Sequence, residues 1–104
     1  MDYCIVFSTS GSQEEAEKIA NVLLENRVAS CVQITPILSL YRWKGKIERE
    51  NEFRLLIKTT ETIYPRVESL IKDNHSYEVP QIVKLPISGG LPEYLNWIKE
   101  EVSS

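Results

Sequence analysis

The chain has 104 residues, 42% hydrophobic and 26% charged, which is enough for one core, too few for two domains, and too apolar for disorder. Its 12 Lys and Arg against 15 Asp and Glu leave a net charge of -3, so no bulk positive field gathers nucleic acid or an anionic membrane. No apolar run approaches a membrane span and no basic leader precedes the first strand pattern, so a cytoplasmic protein without nucleic-acid or membrane partners is expected.

Residues 3–9 (YCIVFST) read as a buried strand from their β-branched and aromatic content, closed by Gly11 and Ser12. Ser12, with Glu15 three residues on, has the spacing of a capping box and opens a helix whose apolar stripe is Ala16, Ile19, Ala20, Leu23 and Leu24. Residues 29–34 read as a second strand, and Pro36 in or beside it demands an edge or a bend, because proline has no donor for the ladder. Residues 37–58 read as a long hairpin reversing at Lys44, Gly45 and Lys46, with Gly45 free to take positive φ. On its returning arm Phe53, Leu55 and Ile57 share one face, and Leu56, together with Leu38 and Leu40, is assigned to the other. Residues 59–73 carry a second helical stripe, Ile63, Val67, Leu70 and Ile71, with Pro65 in the first turn. A turn at 77–80 leads to a fourth strand at 81–87, where Pro86 suits an edge or an end. Pro92 then opens a terminal helix bearing Tyr94, Leu95, Ile98 and Val102. The order β-α-β-β-α-β plus one helix predicts a single α+β domain over 1–104 of the ferredoxin-like kind, with two helices on one face of a four-stranded, mainly antiparallel sheet.

Such a sheet leaves a face and two edges bare, and bare edges invite a second chain. Tyr41, Trp43 and Phe53, on a hairpin that projects past the helices, are therefore expected at an interface between copies. Cys4 and Cys31 fall in strand-like segments and are expected to be reduced, buried thiols. His75 is the only histidine, and with two cysteines at no ligand spacing it cannot close a zinc site within one chain. There is no Gly-rich phosphate loop, no HExxH and no GxSxG, so nothing nominates a nucleophile and a non-enzymatic protein is expected. A polar set, Lys44, Glu52, Lys58, Tyr77, Glu78 and Tyr94, could converge at a subunit boundary around a small anion or metabolite.

Ala29-Ser30-Cys31 with Gln33, Tyr41-x-Trp43-Lys44-Gly45-Lys46-Ile47-Glu48, Glu52, Ile57-Lys58-Thr59-Thr60, His75-x-Tyr77-Glu78-Val79-Pro80 and Tyr94-Leu95-x-Trp97 follow one another in an order that resembles the CutA family, named for divalent-cation tolerance. The resemblance runs essentially end to end. It implies a homotrimer, similar in architecture to the PII signalling proteins, in which extended strands of neighbouring subunits pair. It also implies a part in divalent metal ion tolerance, with weak binding of copper, zinc or another divalent cation. The likeness to PII proteins adds an alternative, a sensor of a small ligand in inter-subunit clefts, and a structural scaffold is the third reading. In some relatives a copper-type site is attributed to a Cys ending the first strand and two adjacent His before a Pro-Tyr turn. At those positions this chain has Ser8, Asn74 and His75, which leaves His75 as the metal candidate, and Ser76 stands where the family usually has Pro.

Overall fold

In the computed structural model residues 2–102 are described; Met1, Ser103 and Ser104, the ends of the expected 1–104 domain, lie outside them. The elements run β1 (Tyr3–Ser10), α1 (Gln13–Glu25), β2 (Cys31–Trp43), β3 (Lys46–Thr60), α2 (Tyr64–Asn74), β4 (Ile82–Ile87) and α3 (Pro92–Glu101). The four strands form one sheet in the order β2-β3-β1-β4, and every neighbouring pair is antiparallel.

Strand alternation decides which side chains meet the helices. Cys4, Val6 and Ser8 of β1 point to the same side as Leu55, Ile57 and Thr59 of β3, and all six are fully buried. Ala16, Ile19 and Leu23 of α1, Val67 and Ile71 of α2, and Ile98 of α3 close over them. Each large aliphatic side chain so buried contributes roughly 1.5–3 kcal/mol before conformational entropy is charged.

The ends of α1 are built differently from each other. Ser12 Oγ accepts the Glu15 amide at 3.1 Å, which is half of the expected capping box. The reciprocal half does not form, because the Ser12 amide donates to Ser10 Oγ at 3.4 Å and the Glu15 carboxylate is left for other partners. At the other end Arg27 takes φ 57, its amide donates to the Leu24 carbonyl at 3.0 Å, and the Val28 amide reaches the Leu23 carbonyl at 3.1 Å. This is a Schellman closure with arginine where glycine is usual. The Arg27 guanidinium donates to the Glu100 carbonyl at 3.0 Å, tying that turn to α3.

Three elements differ from the sequence reading. Residues 29–34 and the outgoing hairpin arm are one continuous strand, β2, running through Pro36; β2 is outermost in the sheet, so the missing donor costs no ladder bond on its unpaired side. The residues 59 and 60 read as helix finish β3 instead, with Thr59 Oγ1 donating to the Val28 carbonyl at 2.6 Å, and α2 starts late enough to place Pro65 in its first turn. The regular β2-β3 register also puts Leu38 and Leu40 on the side of Val32 and Ile34, away from the side of Leu56. Leu56 has half-buried company in Ile5 and Phe7 and exposed company in Val83 and Leu85, so the second face is apolar without the two hairpin leucines. Pro86 lies in β4, the other edge strand, as expected. Among the described residues no helix is long and apolar enough to cross a membrane.

Candidate binding cleft

Beyond the last residues of β1 the β2-β3 hairpin continues alone. Its turn is Lys44 at φ 50 and Gly45 at φ 78, two positive values that define a type I′ reversal suited to the twist of a two-stranded ribbon. The segment following α2 passes the end of β1, and between it and the projecting hairpin lies an open cleft of about 710 Å³.

The wall made by the 74–81 segment is fixed by a polar cluster. His75 is the C-cap of α2 and its side chain is 0% exposed. One ring nitrogen, Nε2, donates to the Thr9 carbonyl at 2.6 Å, and the other, Nδ1, accepts the Tyr77 amide at 3.0 Å, which defines the neutral Nε2-protonated tautomer. Glu15 completes the knot: Ser10 Oγ donates to it at 2.8 Å, the Ser76 amide at 3.0 Å, and its Oε1 lies 3.6 Å from His75 Nδ1. Burial works to raise the Glu15 pKa, but the hydrogen bonds from Ser10 and Ser76 hold it below the ordinary carboxylate value. Sequence reasoning assigned Glu15 to helix capping; it missed this role because its partners are five and sixty-one positions away.

Tyr77 then reaches the hairpin, its hydroxyl donating to Glu52 Oε2 at 2.9 Å. Glu52 is only 7% exposed, and burial together with this bond pushes the Tyr77 phenol well above its usual range. Gly11 leaves room for it, since a Cβ there would stand 3.1 Å from the Tyr77 hydroxyl. Glu48, Glu50 and Glu52 alternate along β3 and so share one side, facing Tyr41 across the ladder. Hydrogen bonding to Glu50, then the surrounding carboxylates, pushes the Tyr41 phenol up to about 12. Trp43 adds apolar wall and Glu78 and Val79 add the opposite rim, while Leu38 and Leu40 border the cleft from the other face of the hairpin.

The sequence-predicted polar set therefore divides. Glu52, Tyr77 and Glu78 meet in the cleft. Lys58 and Tyr94 form a separate contact, the ammonium donating to the phenol at 2.9 Å, which raises the Lys58 pKa. Lys44 stands at the hairpin tip, 5.8 Å from the centroid of the Trp43 ring. Of the three aromatics expected at an interface, Tyr41 and Trp43 are 37% and 55% exposed. Phe53 lies within the body of the sheet, opposite Ser10 and Pro36, and packs against the core, because β1 and β2 both extend far enough to pair beside it.

The positions implied for copper are Ser8, Asn74 and His75. Ser8 Oγ is buried with no hydrogen-bond partner among the described residues, Asn74 Nδ2 donates to the Leu70 carbonyl at 2.8 Å, and both His75 nitrogens are engaged within the chain. A hydroxyl, an amide and an occupied imidazole do not fit a copper centre. Among the described residues no three His, Cys, Asp or Glu side chains converge enough to hold a metal ion. Both cysteines are free; Cys4 is buried, and burial, with Glu61 adding to it, pushes its thiol up to about 11, whereas Cys31 is only half-buried.

Comparison with known proteins gives one consistent family. Residues 4–101 match the model for the CutA1 divalent ion tolerance protein. The chain is 44% identical over 97 residues to the divalent-cation tolerance protein CutA of Thermus thermophilus, covering 92% of this chain and 94% of that protein. It is 45% identical over 97 residues to the corresponding protein of Archaeoglobus fulgidus, covering 93% and 95%. A solved structure described as the periplasmic divalent cation tolerance protein CutA of A. fulgidus superposes with a TM-score of 0.95 at 44% identity, over 97% of this chain and 99% of that one.

Proposed function

The chain belongs to the CutA1 divalent ion tolerance protein family, and on that premise we propose that it is a non-enzymatic, homotrimeric member that contributes to divalent metal ion tolerance through its hairpin cleft. The observation that carries the reading is that the match over 4–101 includes the two stretches bounding the cleft, the hairpin turn and the segment after His75. Exposed Tyr41, Trp43, Val83 and Leu85 support assembly, since side chains of this kind are otherwise left in water beside open strand edges.

Divalent cation binding is weak in this reading, because the copper positions do not present a ligand set. Calorimetric titration with copper and with zinc is expected to give low-affinity heats. Heat that disappears in His75→Ala keeps the ring as a ligand after release from Thr9 or Tyr77. Unchanged heat removes it, and no heat in the parent protein removes ion binding altogether.

The second reading, a PII-like sensor, is favoured by the cleft itself, an open volume with a buried carboxylate–phenol pair at its floor. A ligand bound only by the folded assembly must raise its melting temperature. A cytoplasmic location rests on two free thiols; a relative described as periplasmic makes cell fractionation the direct test.

A further inference from the structure

We propose that copies of the chain associate head to tail through the projecting hairpin, the acidic face of one copy's hairpin seated against the basic face of the next. This rests on the reading of the chain as a homotrimer and adds what selects that arrangement. Past Phe53 the two strands of the hairpin run with no third strand beside them, so both faces of the ribbon stand clear of the sheet.

The register separates the charges of those faces. Ser39 lies opposite Glu50, Tyr41 opposite Glu48 and Trp43 opposite Lys46, and by alternation these six share one face. Leu38 lies opposite Asn51, Leu40 opposite Arg49 and Arg42 opposite Ile47, and these share the other. The first face therefore sets Glu48 and Glu50 against a single Lys46, beside the rings of Tyr41 and Trp43. The second carries Arg42 and Arg49 with no carboxylate, beside Leu38, Leu40 and Ile47, all three exposed. The chain does not neutralise these rows itself: among the described residues its close charge contacts are Lys84 with Glu61 and His75 with Glu15, both away from the hairpin.

Symmetry then decides how two such ribbons meet. A two-fold contact lays a face on its own copy, and so puts carboxylates on carboxylates or guanidinium groups on guanidinium groups. A head-to-tail contact lays unlike faces together. It matches both charged rows, covers the apolar side chains of both faces, and brings arginine planes to the rings of Tyr41 and Trp43. Every copy then keeps one unsatisfied face until a ring closes.

The test is light scattering on the intact protein and three variants, with circular dichroism confirming that each is folded. Reversing the acidic row, Glu48→Arg with Glu50→Arg, or the basic row, Arg42→Glu with Arg49→Glu, is expected to weaken association by at least about tenfold, seen as dissociation where the parent stays assembled. Reversing both rows in one chain restores opposite faces and is expected to restore the parent's oligomer. Co-expressed with the parent, that fourfold variant is expected to sort into its own oligomers, because mixed contacts place like charges together; native mass spectrometry reads the mixture. Undiminished association in both single-row variants overturns the proposal. A folded but dissociated fourfold variant, or mixed oligomers in statistical proportion, overturns it as well. A trimeric parent with any of these results rejects the charge-directed contact and spares the trimer, whereas a monomeric parent rejects both.

Discussion

Glu52 shows what a single side chain contributes to the cleft. A carboxylate buried this far is tolerated because the Tyr77 hydroxyl faces it, and removing that donor leaves a desolvated acceptor. Tyr77→Phe is therefore expected to cost about 1–3 kcal/mol, read as a shift of the urea midpoint at unchanged slope. Glu15 is the second case. Its folded pKa lies below the ordinary 4.5, so the stability it contributes is complete above that value and is lost as pH falls through the folded pKa. Thermal melts across the acid range should show this as a slope that flattens in Glu15→Gln; an unchanged slope would mean that the knot around His75 carries no linkage. Neither role was legible from spacing. The sequence shows an N-cap pattern at Ser12 and Glu15, whereas the structure spends the Glu15 side chain on Ser10 and on the amide of Ser76. That amide is available only because the position is not proline.

At the level of the elements, the patterns with the shortest reach in sequence were the readable ones. The α1 stripe, the hairpin reversal at Gly45 and the late start enforced by Pro65 all rest on local chemistry, and all are found. What failed were joins. Pro36 looks like a break until β2 is known to be an edge strand, and Thr59 and Thr60 look like helix until the Val28 carbonyl is seen to receive Thr59. The parity of Leu38 and Leu40 followed once β2 proved continuous, because alternation has to be counted through Pro36. The hairpin turn offers a direct check. Gly45→Ala, forced to φ 78, is expected to lose roughly 1–2 kcal/mol, while Lys44→Asn, a residue that tolerates the left-handed region, is expected to raise the melting temperature. Equal effects of opposite residues at these positions would deny the type I′ geometry.

At the scale of the whole molecule, several large apolar side chains lie outside the core. Tyr41 and Trp43 on the hairpin and Val83 and Leu85 on the open face remain exposed after the core is complete. Light scattering is expected to give three times the 12.0 kDa chain mass, and a monomer mass would contradict the assembly proposed above. Trp43→Ala should weaken association by on the order of 2 kcal/mol, seen as dissociation on dilution. Of the aromatics marked by sequence, Phe53 is the one that the core claims, and composition had no means of separating it from Tyr41 and Trp43, since only the sheet order says how far β1 reaches along the hairpin.

Both outermost strands contain a proline, Pro36 in β2 and Pro86 in β4. Strand-by-strand growth into a fibre needs an uninterrupted row of donors on each outer edge, and each row here has a gap. The stretch of β2 after Pro36 still offers seven consecutive residues through Trp43, long enough for one strand to dock and too short for a sheet to propagate along the whole edge. For the assembly proposed above, the two prolines would favour a closed ring over an open polymer.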